Sequence, residues 1–147
     1  MAILNMPLLP PLFVSDNSTT VLSLLSAIRE ASGQPETIGL PDEVISDFAS
    51  RDDTLLRAVE EASINHQNLM VEFGKEVMMQ SEVDLVNSVQ SDFINFYAPA
   101  TVNPYIAIAG RGPWIVTSHG AVLHDNGGYG MLGAGHGPES IIDAMSK

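Results

Sequence analysis

Residues 112–144 read GPWIVTSHGAVLHDNGGYGMLGAGHGPESIIDA. Two short apolar runs, Trp114-Ile115-Val116-Thr117 and Ala121-Val122-Leu123-His124, flank Ser118-His119-Gly120. A glycine free to take a positive φ between two such runs marks a tight β-hairpin. Five glycines then fall within the nine residues 127–135. Pro138 follows, at a place where its fixed φ and missing N–H suit the first turn of a helix carrying Ile141, Ile142, Ala144 and Met145. Just upstream, Tyr105-Ile106-Ala107-Ile108-Ala109 is a third apolar run and is expected to be a strand. The C-terminal third is therefore read as a small antiparallel sheet followed by one helix.

Working back from the hairpin, the character of the chain changes near residue 98. Residues 1–100 hold 15 of the 18 acids and 4 of the 6 bases, whereas nine of the twelve glycines come later. Pro99 and Pro104 bracket a linker. The expected division is an acidic, mostly helical region over 1–98 and the hairpin, glycine stretch and helix over 99–147. In the first region, Ser18 is placed to cap a helix over 19–32 whose Val21, Leu22, Leu24, Leu25 and Ile28 recur at helical spacing, with Gly33 ending it. A short helix after Pro41 would bury Val44, Ile45 and Phe48. Asp52 or Asp53 starts a third, carrying Leu55, Leu56, Ala58, Val59, Ala62, Ile64 and Leu69 toward Gly74. Ser81-Glu82-Val83-Asp84 has the form of a capping box and opens a fourth with a broad apolar face from Val83 to Phe96. Met70, Met78 and Met79 read as core filling. The expected fold class is α+β.

Composition narrows the function. The chain has 147 residues, 45% of them hydrophobic, and a formal net charge of -12. Nucleic acid and anionic membrane both call for a basic surface, so neither is an expected partner. There is no cysteine, which excludes disulfides and thiolate chemistry. The apolar N-terminus lacks a basic leader and carries Pro7, Pro10 and Pro11, and no apolar run reaches the length of a membrane span. A cytoplasmic location is expected.

Glycines before a helix also raise the question of phosphate binding. The Walker pattern fails, because no lysine lies between Lys75 and Lys147. The dinucleotide pattern is met by Gly128, Gly130 and Gly133, but the strand before it belongs to a hairpin and not to a parallel βαβ unit. His119, His124 and His136 match no zinc spacing. Ser118-His119 with His124-Asp125 is the best arrangement for a small hydrolase, yet neighbouring residues of a hairpin point to opposite faces.

Taken in order, Gly112-Pro113-Trp114-Ile115-Val116, Gly120-Ala121-Val122-Leu123-His124-Asp125, Gly135-His136-Gly137-Pro138 and Ala144 resemble the N-terminal part of class III aminotransferases, pyridoxal-phosphate enzymes of fold type I. The family form has one more residue between the His and the Pro; here only Gly137 stands there. The resemblance spans roughly a quarter of the chain. It implies amino-group transfer between an amino acid or amine and a keto acid or aldehyde. It places Tyr129 toward the substrate, with Gly128 and Gly130 shaping the wall, and leaves His136 bracing a turn.

That chemistry needs a Schiff-base lysine, a carboxylate at the pyridinium nitrogen and a phosphate cup. In the family all three come later than the segment matched here, and Lys75 and Lys147 match none of them. The chain therefore reads as the front end of such an enzyme, with no catalytic residue of its own, no stably bound pyridoxal phosphate, and as partner either the rest of the enzyme or a second copy in a homo-oligomer. Trp114, Ile115, Val122, Leu123, Ile141, Ile142 and Met145 are accordingly expected to be partly uncovered. A second reading makes the acidic helical part a regulatory module that binds a protein or carrier-protein partner without catalysis.

Overall fold

A computed structural model describes residues 16–91, 94, 98, 101, 103–125 and 133–147. Among them the chain is α+β, with six helices and one three-stranded antiparallel sheet. Helix α1 is Asn17–Ser32, α2 is Asp42–Ala49 and α3 is Asp53–Glu72. Two shorter helices follow, α4 at Lys75–Met78 and α5 at Glu82–Gln90. The strands are β1 (Ala107–Arg111), β2 (Trp114–Thr117) and β3 (Val122–His124), and α6 is Glu139–Met145. No helix among the described residues is long and apolar enough to cross a membrane.

Helices α1, α3 and α5 begin at a polar side-chain cap, though not always the expected one, whereas α2 follows Pro41 and α4 follows Gly74 without one. Asp16, not Ser18, caps α1, its carboxylate accepting from the Ser18 amide. Ser18 is one residue inside the helix and buried, and its hydroxyl donates to the Ser46 carbonyl of α2 at 2.9 Å. Asp52 caps α3 through the Thr54 amide at 2.8 Å. Ser81 caps α5 through the Asp84 amide, the bond its capping-box spacing implies. Gly33, at φ +94, closes α1 and returns its amide to the Arg29 carbonyl.

Apolar faces are narrower than the spacing implied. Ile64, Val83 and Val89 are exposed, Val44 is partly so, and the helical run of α5 stops at Gln90, before Phe93 and Phe96, which lie outside the described residues. Of the three methionines only Met78 is buried; Met79 is exposed.

Strand β1 begins two residues later than expected, because Gly110 and Arg111 pair with Ile115 and Trp114 while Tyr105 and Ile106 stay outside. Gly112, at φ +54, and Pro113 make the two-residue turn into β2. The second turn matches its reading: Gly120 sits at φ +75 and Thr117 and Ala121 close the loop. A side chain at Gly120 would also press within 3.0 Å of the Arg29 stem, whose guanidinium donates to the Gly120 carbonyl.

Helix α3 packs on β1 and β2, α1 packs on α3, and α2 closes against α1. One apolar cluster draws Val21, Leu25 and Ile28 from α1, Leu55 and Val59 from α3, and Trp114, Val116 and Val122 from the sheet. Helices before residue 98 and strands after it thus share one core. The expectation of an uncovered tail divides here. Trp114, Ile115 and Val122 are buried, because α3 and Phe48 of α2 cover the sheet that was expected to lie open. Leu123 is half-buried. Helix α6 has no buried residue, and Ile141, Ile142 and Met145 face outward.

Candidate functional site

The residues that carry the sequence pattern meet at the β1–β2 turn. Gly112 and His136 form an isolated antiparallel bridge, with N–H···O distances of 2.9 and 2.7 Å in the two directions. The Asp125 amide donates to the Pro113 carbonyl at 2.7 Å, which folds the end of β3 over the same turn. The His136 ring then reaches Asp125, Nε2 to Oδ2 at 2.9 Å. A carboxylate only accepts, so Nε2 carries a proton. Three sequence blocks, 112–113, 125 and 135–138, thereby become one hydrogen-bonded unit.

Glycine is required at one point of this unit and closely packed at a second. Gly135 adopts φ +71, and a Cβ there would stand 2.8 Å from the Gly112 backbone. At Gly110 the space of a side chain is taken by His136, at 3.0 Å. Gly135→Ala is expected to break the Gly112–His136 bridge at a cost of about 1–3 kcal/mol. Hydrogen exchange should show the Gly112 and His136 amides losing protection while α1 and α3 keep theirs; unchanged protection at both amides would count against this packing.

A cleft of about 330 Å³ runs beside the unit, between Thr54 and Arg57 of α3, Gly112, and the segment from Ala134 to Ser140. Its charged groups are neutralised in place. Arg111 Nε donates to Glu61 at 2.7 Å, and Arg57 donates to Glu139 at 3.2 Å. Arg111 also lies 4.0 Å from Glu139, so the first turn of α6 is held to the body by two guanidinium groups. These pairs are exposed or partly so, worth about 1 kcal/mol or less each.

The other histidines are structural. His119 is buried; its Nε2 donates to the Gln80 carbonyl at 2.9 Å, and its Nδ1 lies 3.1 Å from the Ser118 hydroxyl. That Ser–His pair is sealed from solvent, and Asp125 is engaged by His136, so the three groups do not converge as a catalytic relay. His124 packs edge-on against Trp114 at 4.7 Å. His66 is buried, with Nε2 2.6 Å from the Ser32 hydroxyl. Burial, then repulsion from His119, holds its pKa below the ordinary 6.5. The unfolded chain takes up this proton first, so folding loses stability as pH falls below 6.5, down to the folded value. No group of three or more His, Asp or Glu side chains is arranged to hold a metal among the described residues.

Gly128, Tyr129 and Gly130 lie outside the described residues. Two partnerships are not evident in the sequence: Asp125 pairs with His136 and not with its neighbour His124, and Asp52 is a partner of Trp114 as well as a cap. The order of Asp125 before Gly135-His136 in the sequence pattern was the signal available for the first; the second had none. No protein-family model, no curated protein and no solved structure matches this chain.

Proposed function

We propose that this chain is the N-terminal portion of a class III pyridoxal-phosphate-dependent aminotransferase, supplying part of the substrate-pocket rim and not the covalent anchor of the coenzyme. One observation carries the reading: the separate blocks of the resemblance are joined in space by the Gly112–His136 bridge and the His136–Asp125 bond. The β2–β3 register, with Trp114 opposite His124, sets Pro113 beside Asp125, and the Gly112–His136 bridge adds the third block.

The described residues do not fit the coenzyme by themselves. Lys75 is exposed at the start of α4, Lys147 is exposed past α6, and neither takes part in the hairpin unit. Arg57 and Arg111, the cations at the cleft, are each held by a carboxylate. No step of amino transfer is assigned to residues of this chain. The outward apolar side of α6 supports a further packing partner, either later segments of the enzyme or a second copy.

Mixing the purified protein with pyridoxal phosphate and trapping with borohydride is expected to leave no lysine stoichiometrically modified, as read by peptide mass spectrometry. The coding sequence past Lys147 is expected to continue into a glycine–serine or glycine–threonine phosphate segment and a lysine. A complete adduct at Lys75 or Lys147, or a reading frame that closes at once, would overturn the proposal.

A further inference from the structure

Helices α4 and α5 stand apart from the core that holds the rest of the fold. Met78, Leu85 and Val86 are buried, but residues 75–90 contribute nothing to the apolar cluster shared by α1, α2, α3 and the sheet. Polar side chains fasten them instead. Glu82 accepts from the Glu36 and Thr37 amides. The ring of His119, in the β2–β3 turn, donates to the Gln80 carbonyl in the connection between α4 and α5.

His119 has a second buried histidine for company. His66 of α3 lies close enough that a charge on one ring repels a charge on the other. Hydroxyls meet both rings: Ser32 is 2.6 Å from His66 Nε2, and Ser118 is 3.1 Å from His119 Nδ1. No carboxylate bonds either ring among the described residues. The surrounding elements supply no free counter-charge. Arg29 of α1 donates to the carbonyl of Gly120, the residue after His119, and is paired with Asp42 of α2. Glu82 of α5 has its bonded oxygen committed to the Glu36 and Thr37 amides, and Glu36, Lys75 and Glu76 are exposed. A proton taken up by the pair therefore enters a buried site with no bonded anion and with a guanidinium nearby.

We propose that His66 and His119 form an acid-operated latch: proton uptake by this buried pair frees the α4–α5 segment from the β2–β3 turn while α1, α3 and the sheet stay packed. Hydrating the new charge requires opening its cover, and the cover that takes no part in the central core opens at least cost. Burial, then repulsion from His119, holds the His66 pKa below the ordinary 6.5. The opened form therefore binds the proton more tightly, and opening grows as pH falls through 6.5. The latch uses no residue of the hairpin unit, so its failure and that of the aminotransferase reading are separate events.

Native-state hydrogen exchange on the full chain, at about pH 7.5 and about pH 5.5 and corrected for intrinsic rates, tests this. A freely hydrated histidine is about tenfold more protonated than not at the lower pH, so the amides from Leu85 to Gln90 should open about tenfold more often there. That opening should leave α1 and α3 protected. Replacing both rings, His66→Gln with His119→Gln, keeps a donor for the Gln80 carbonyl and takes no proton; the pH response should fall to about twofold or less. Circular dichroism checks that this variant folds. In the wild type, the ring resonances of His66 or His119 should titrate over the same pH range as the opening, a readout that needs no variant. Amides of α5 that exchange only together with α1 and α3 at both pH values would overturn the proposal. So would a tenfold response that survives in the double variant, or rings that stay neutral while α5 opens.

Discussion

Trp114→Ala is expected to lower the unfolding free energy by about 3–5 kcal/mol, the range for emptying a large aromatic site in a packed core. Trp114 is 1% exposed. Its ring meets Phe48 edge-on at 5.1 Å and His124 at 4.7 Å. The indole N–H also donates to Asp52 Oδ2 at 2.7 Å, while Oδ1 of the same carboxylate caps α3. One carboxylate thus fastens β2 to the start of the longest helix. Burial alone would raise the Asp52 pKa, but the bonds from Trp114 and Thr54 outweigh it and hold the group below the ordinary 3.8. The stability this contributes is present above that value and is lost as pH falls through the lower, folded one.

Trp114→Phe separates the two contributions. The ring still fills most of the site, but Asp52 loses its donor, which should cost about 1.5–3 kcal/mol. Because this is the chain's single tryptophan, the measurement is urea unfolding followed by circular dichroism. A loss under about 1 kcal/mol for Trp114→Ala would show that β2 does not depend on this residue.

The sequence announced this region's local form better than its surroundings. Glycine and proline turn chemistry is local, and the turn at Gly120 and the hairpin formed as read. Polar caps are local too, although Asp16 outcompeted Ser18 because burial against Ser46 gave that hydroxyl another partner. What covers a strand is not local. Trp114-Ile115-Val116 looks the same whether its cover is α3 of the same chain or a missing domain, so its burial could not be read. Strand β1 is displaced from the apolar run at 105–109 for a related reason: its last two residues, Gly110 and Arg111, carry no apolar signal. Arg111 can occupy a strand next to the core because its guanidinium reaches Glu61, 50 residues earlier in the chain. The candidate site was legible as a list of residues, and its assembly was not, since the bridge from Gly112 to His136 crosses a stretch with no periodicity.

Glu82 shows the same limit most sharply, and it carries the second large effect. In Ser81-Glu82-Val83-Asp84 it stands in the first turn after the cap, where the helix dipole favours an acid. It is 1% exposed. Its Oε2 accepts from the backbone amides of Glu36 and Thr37, at 2.9 and 2.7 Å, in the connection between α1 and α2. Its Oε1 is buried with no hydrogen-bond partner. A buried carboxylate tolerates that only because the two charge-assisted bonds on the other oxygen are short and fixed. With Leu85 and Val86 also buried, Glu82 is the polar fastening of α5 to the rest of the molecule. Glu82→Ala is expected to cost about 2–4 kcal/mol, since it strands two amide donors and opens a void. Glu82→Gln keeps an oxygen for both donors and loses only the charge, so about 1–2 kcal/mol should suffice for it. Hydrogen exchange distinguishes this from general weakening: the Glu36 and Thr37 amides should lose protection in Glu82→Ala and keep part of it in Glu82→Gln. If both amides stay protected in Glu82→Ala, some other group holds that connection, and α5 is not fastened through residue 82.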